Sequence, residues 1–194
     1  MDISKDNVLR LKRTAREGAF GHPWVRLDDL DLTDGILIDG SAATLITANG
    51  HALGSGVFDR RNLAAAWRRF SWAEAVAFDE SYIADTIQEA LARRGESNCQ
   101  RLISSDADYL PGLIVEKYAD VLTITAETAA ADAHLDMIAE LLKEQLAPQE
   151  IVFLNDCESR AVYSLERDVR TLSGNNLKGR WVEIDELSYR LDLM

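Results

Sequence analysis

The residues best able to do chemistry in this 194-residue chain are cations and aromatic rings near its start. Lys12, Arg13 and Arg16 lie close together. Arg60, Arg61, Arg68 and Arg69 form a second basic cluster, with Trp67 and Trp72 flanking the last pair. Cationic side chains neutralise phosphates and aromatic rings stack on bases, so this mixture suits single-stranded nucleic acid. It equally describes two core tryptophans with exposed arginines between them, and basic clusters are often solvated faces of an ordinary fold. His22 and Trp24 bracket Pro23. Imidazole and indole both stack on RNA bases; the expected placement is Trp24 in the core and His22 in a turn.

Other chemistries find less support. Asp106 and Asp108 resemble a paired-carboxylate site, but no partner acid or base stands near them in the sequence. Asp108 is expected to bond the backbone of the tight Leu110-Pro111-Gly112 turn. Cys157 lies between Asp156 and Glu158 with no histidine nearby, and Cys99 lies in a polar loop. No catalytic residue is assigned. His22, His51 and His134 share no ligand spacing, so no metal site is expected. Gly54-Ser55-Gly56 is the one candidate nucleotide loop. It sits inside an apparent strand with no helix after it, which fits glycines in a tightly curved strand better.

These side chains must be positioned by two kinds of element. Short β-branched runs at 36–39 and 43–48, an Asn49-Gly50 turn expected to be type I′, and a return strand at 52–58 describe a small β-rich barrel. Pro23 favours extended backbone at His22. Residues 63–70 are ambiguous: their composition favours helix, while a family resemblance carried by other residues favours a strand. Further on, Asp79 could cap a helix over 80–94, with Arg93 and Arg94 in its last turn. A hairpin is expected from 112–117 and 121–126, and an amphipathic helix over 132–146. Strands are expected at 151–154 and 160–166, then a last hairpin from 181–184 and 188–193 whose Tyr189, Leu191 and Leu193 share a packed face.

The apolar fraction of 47% indicates a folded protein. The net charge of −12 argues against a general nucleic-acid binder, but all of it lies beyond residue 70. Any RNA-facing surface is therefore expected in residues 1–72. No apolar run reaches the ~18 residues that span a bilayer, and the first residues lack the apolar stretch of a signal peptide. The expected location is cytoplasmic.

The stretch Arg101–Asp120, with its Asp106-x-Asp108-x-Leu110-Pro111-Gly112-Leu113 core, and Gly21-His22-Pro23-Trp24-Val25 upstream carry a resemblance. Together they resemble the N-terminal part of bacterial class I S-adenosylmethionine (SAM)-dependent methyltransferases that modify cytosine C5 in 23S rRNA. The resemblance implies an α+β chain: a PUA-like RNA-binding β-barrel over 1–72, then an α+β linking domain over 73–194 with antiparallel hairpins and two amphipathic helices. It implies rRNA as partner, admits a homodimer, and gives Asp106, Asp108, Leu110, Pro111 and Gly112 a structural role. The family's catalytic cysteines and SAM fold lie in a later domain. The chain alone is therefore expected to be inactive and to hold no cofactor, SAM being expected only with a C-terminal domain. Leu63-Ala64-Ala65-Ala66 stands where the family usually carries Ile-x-x-Arg, so this segment does not supply that arginine. Rival expectations are a freestanding degenerate RNA-binding module and an acidic protein–protein interaction module.

Overall fold

The computed structural model describes residues 7–33, 37–177, 180–184 and 186–194. The chain divides into two compact units, Met1–Tyr82 and Ile83–Met194.

The first unit is one six-stranded sheet. Its strands are β1 (Val8–Leu11), β2 (Trp24–Val25), β3 (Leu30–Asp31), β4 (Ser41–Ile46), β5 (Ala52–Phe58) and β6 (Trp67–Ser71), ordered β2-β6-β5-β4-β1-β3. Only β1 and β4 pair in parallel. The edge strands β2 and β3 are joined by a single 3-10 turn, Leu27–Asp29. Six flat strands would set the edges about 24 Å apart, yet the link from Val25 to Leu30 reaches at most about 18 Å. The sheet must therefore curl into a nearly closed barrel. Its core agrees: Leu9, Leu11, Val25, Leu30, Leu45, Phe58 and Trp67, from six different strands, form one buried cluster.

Curling needs close backbone approach, and two glycines supply it. A Cβ on Gly56 would lie 2.3 Å from the Trp67 ring; one on Gly54, at φ +119°, would lie 2.2 Å from the Ser71 carbonyl. These are strand glycines, as expected of Gly54-Ser55-Gly56. The β4–β5 hairpin forms as expected, but its turn differs. Only Gly50 of the Asn49-Gly50 pair takes positive φ, +87°. The Thr47 N–H donates to the His51 carbonyl and the Gly50 N–H to the Thr47 carbonyl. This is a three-residue loop ending in a left-handed glycine, not a type I′ turn. Of the expected strand at 36–39, Ile36 lies outside the described residues, and 37–39 are irregular. The ambiguous 63–70 segment resolves as loop followed by β6.

The second unit holds a five-stranded sheet ordered β11-β10-β9-β8-β7. Its strands are β7 (Cys99–Ser104), β8 (Leu113–Tyr118), β9 (Val121–Ala126), β10 (Glu150–Asn155) and β11 (Asp168–Thr171). β8 and β9 form the expected hairpin. β9 and β10 are parallel, and so require a crossover. It is made by α2 (Ala129–Asp132) and α3 (Leu135–Leu146). Thr128 caps α2, and the helix expected over 132–146 is interrupted at Ala133-His134. Helix α1 (Glu80–Ala92) precedes the sheet and buries Ile83, Ile87 and Ala90. Asp79 caps it, accepting from the Tyr82 N–H at 2.9 Å.

The strand expected at 160–166 is absent. Ser159–Val162 is one helical turn, α4, and the edge strand begins at Asp168. The reason is Arg160, which is 4% exposed. Its guanidinium donates to the carbonyls of Ala126 and Glu166 and to Asp132, which the turned backbone permits. The last hairpin joins β12 (Arg180–Ile184) to β13 (Leu187–Leu191). Its expected packed face is partial: Leu193 is buried with Val121 and Val152, while Tyr189 is 44% exposed. The architecture is α+β.

Candidate nucleic-acid interface

Cations and aromatic rings meet on the first unit where Phe20, the end of a short 3-10 turn, adjoins the barrel. Exposed Lys12 and Arg13 extend from the end of β1. They line a cavity of about 510 Å³ together with Phe20, Asn49 and His51. Lys12 is anchored by donation from Nζ to the Asp28 carbonyl at 2.8 Å. Arg16 stands beside buried Asp29, 3.7 Å away.

The Phe20 and Gly21 carbonyls accept from the Arg69 guanidinium at 3.3 and 3.4 Å. Arg69 thereby ties this corner to β6. It is only 2% exposed, and its guanidinium lies 5.5 Å from the Trp67 ring and 3.9 Å from that of Trp72. Trp67 is fully buried, with its indole N–H on the Ala43 carbonyl at 3.0 Å. Trp72 is 62% exposed. The guanidinium is thus flanked by a core indole and a solvent-facing one.

A second pair lies on the β2–β6 ladder, where Trp24 faces Arg68 in register. The Arg68 guanidinium lies 5.5 Å from the Trp24 ring, within cation–π range. Two expectations are corrected here. Trp24 is not core: it is 44% exposed, and its neighbour Val25 fills the barrel instead. A two-residue strand has only one inward position, and Val25 takes it. Nor are the arginines between Trp67 and Trp72 exposed; Arg68 and Arg69 are both buried. Exposed His22 sits edge-on to Trp24, centroids 5.7 Å apart, and its Nδ1 accepts the Trp24 N–H at 3.0 Å.

Arg60 and Arg61 are not part of this constellation. They follow β5, at the end opposite its Thr47–His51 loop. Arg60 pairs with Asp39 at 3.0 Å, and Arg61 grips Asp59 through both Nε and Nη2.

In the second unit the Asp-rich motif is a structural clamp. Buried Asp108 accepts from Arg93 at 3.1 Å, from Arg94, and from the Ser104 N–H at 2.7 Å. The backbone it satisfies is therefore not the Leu110-Pro111-Gly112 turn, as expected. That turn is held by Ser105, whose Oγ accepts the Gly112 N–H, and by Thr128, whose hydroxyl donates to the Pro111 carbonyl. Asp106 is half-buried and accepts from the Ser105 hydroxyl. Arg93 and Arg94 lie just past α1 and serve Asp108 as partners, a role that spacing did not reveal. Cys157 accepts from the Ser159 hydroxyl at 3.2 Å. Among the described residues, no group of three or more His, Cys, Asp or Glu side chains could hold a metal. No described helix is long and apolar enough to cross a membrane.

Comparison with known proteins is consistent with this layout. The chain resembles ribosomal RNA large subunit methyltransferase I of Aliivibrio fischeri (strain MJ11), at 26% identity over 159 residues, 79% of this chain and 40% of the relative. It resembles the protein of that name from Shewanella amazonensis at 27% identity, over 72% of this chain and 36% of the relative. The chain thus spans about two fifths of the length of these curated relatives. Among solved structures, SMU.776, assigned as a methyltransferase and complexed with SAH, superposes with a TM-score of 0.72 over 96% of this chain and 48% of its own, at 15% identity. A protein of Streptococcus mutans assigned as a SAM-dependent methyltransferase gives 0.70 at 16% identity, over 96% of this chain and 50% of its own. Residues 10–71 match the PUA-like domain, which makes the curled sheet a PUA-like barrel in a chain similar to those large-subunit rRNA methyltransferases.

Proposed function

We propose that this chain recognises ribosomal RNA through residues 1–72, as the RNA-recognition portion of a SAM-dependent methyltransferase-like protein acting on cytosine C5 of 23S rRNA. The observation that carries this reading is the Phe20 corner. There a cavity edged by Lys12, Arg13 and His51 adjoins carbonyls held by Arg69, on a PUA-like barrel. Lys12 and Arg13 supply phosphate contacts and Phe20 a ring for a base or sugar. In such a protein the barrel would hold the rRNA while a cytosine, turned out of its stack, reacts elsewhere. The first unit then serves recognition.

The test is fluorescence anisotropy with a labelled 23S rRNA fragment at several salt concentrations. The double variant Lys12→Ala, Arg13→Ala should bind about ten-fold more weakly at low salt. Its log K against log salt should flatten by about 0.7 per lost phosphate contact on single strands. Affinity and slope both unchanged would remove RNA binding from this face.

A further inference from the structure

We infer that Trp72 is a stacking platform for one unpaired nucleotide of the bound RNA, held ready by Arg69 and by a pinned backbone. This rests on the RNA reading above and specifies the form of RNA that the barrel takes.

A solitary exposed aromatic ring on a protein surface needs no explanation. Three observations set Trp72 apart. The first is the group beneath it. The Arg69 guanidinium lies 3.9 Å from the ring centroid, and its Nη1 and Nη2 donate to the Gly21 and Phe20 carbonyls. The plane of the indole is thereby supported on one side, and 62% of the residue still faces solvent. A cation on one face of an indole leaves the other for a second π-system, and a nucleobase is the flat partner that the neighbouring cations suit.

The second is the backbone. Trp72 leaves β6 in a segment bonded on both sides. The Ser55 hydroxyl donates to the Ala73 carbonyl at 2.9 Å and accepts the Val76 N–H at 3.0 Å. The Ala73 N–H donates to the Ser71 hydroxyl, and the Ala75 N–H to the Thr44 hydroxyl. Gly54 lets β5 approach so closely that a Cβ there would lie 3.2 Å from the Trp72 Cα. The ring is thus presented from a fixed base, and a preorganised ring loses little freedom on binding.

The third is continuity with the phosphate groove. The residue whose carbonyl holds Arg69, Phe20, also lines the cavity of Lys12 and Arg13. A base on Trp72 and phosphates along Lys12 and Arg13 are joined through one corner. A paired base has both faces covered by its neighbours, so the platform requires a nucleotide that is unstacked. The preferred ligand is single-stranded or looped RNA, not continuous duplex.

The experiment uses the full chain and one probe in two forms: a 12-nucleotide single-stranded RNA carrying 2-aminopurine, and the same strand annealed to its complement. The expected result is tighter binding of the single strand, with quenching of 2-aminopurine. Trp72→Ala should lose about ten-fold in single-strand affinity together with the quenching, and leave duplex affinity unchanged. Trp72→Phe should restore most of the loss. Circular dichroism of each variant checks the fold, which substitution at so exposed a site should preserve. If wild-type chain binds both forms and Trp72→Ala binds them equally well, the platform is wrong while RNA recognition stands. If wild-type chain binds neither form at low salt, both fall.

Discussion

Buried arginine is used in different ways in the two units. In Ile83–Met194 it is a framework residue. Arg160 is buried among two carbonyls and Asp132, and Arg93 and Arg94 close on buried Asp108. There the charge is consumed by the fold, whose acidic surplus leaves it poorly suited to phosphate. In the barrel, Arg68 and Arg69 stand behind the rings of Trp24 and Trp72, which face solvent. The difference teaches that counting basic residues does not locate a nucleic-acid surface. What matters is whether a cation is turned inward to a carboxylate or placed to support a ring that something outside can reach.

The sharpest way to break this comparison is to exchange effects between the units. Arg160→Met removes a buried cation and leaves Asp132 and two carbonyls without their donor. It should destabilise the second unit by about 3–5 kcal/mol, read by urea denaturation, while the RNA affinity of folded protein holds. A comparable loss of RNA affinity would mean that the framework arginines are part of recognition after all.

Trp24→Ala should do the reverse. We expect a five- to ten-fold loss in RNA affinity by anisotropy, with stability changed by about 1 kcal/mol or less, since Trp24 is half exposed. Trp24→Phe should recover much of the affinity. A large drop in thermal stability instead would make the Trp24–Arg68 pair another piece of framework.

The smallest expected effect concerns pH. Burial, and then the neighbouring Glu116 carboxylate, push the Tyr118 phenol above its ordinary value near 10. Folded protein then holds that proton more tightly than unfolded chain. Its stabilising contribution is fully present below the unfolded pKa and fades as pH rises through the folded one. Absorbance titration near 295 nm should show one late-ionising tyrosine that Tyr118→Phe removes. If that variant leaves the titration curve unchanged, the assignment is wrong.

Where the sequence was legible, local pattern and tertiary environment agreed. The 113–126 hairpin has β-branched strands around a short turn, and the helix at Glu80–Ala92 begins where Asp79 caps it. Gly54 and Gly56 are strand glycines for the reason expected: neither site has room for a Cβ. The failures share a cause. Alternation cannot decide which of two residues points inward, so the sequence puts Trp24 in the core position that Val25 fills. Local composition does not reveal that Arg160 will be enclosed by carbonyls, or that Arg69 will sit beneath an indole. The Phe20 corner is assembled from the Glu17–Phe20 turn, the 47–51 loop and β6, which are far apart in sequence and become one place only after the sheet curls.

The short Leu27–Asp29 link between the edge strands governs when the molecule can become competent during synthesis. β2 and β3 are made early, but β2 has no partner until β6 follows more than forty residues later. The nascent chain must keep Trp24 and Val25 waiting while β4 and β5 form their hairpin, and the ring shuts only when Trp67–Ser71 leaves the ribosome. Non-local closure of this kind is slow relative to hairpin formation. The surface that we assign to RNA is thus among the last parts of the barrel to exist, so an incomplete barrel lacks the paired Trp24–Arg68 and Trp72–Arg69 features altogether.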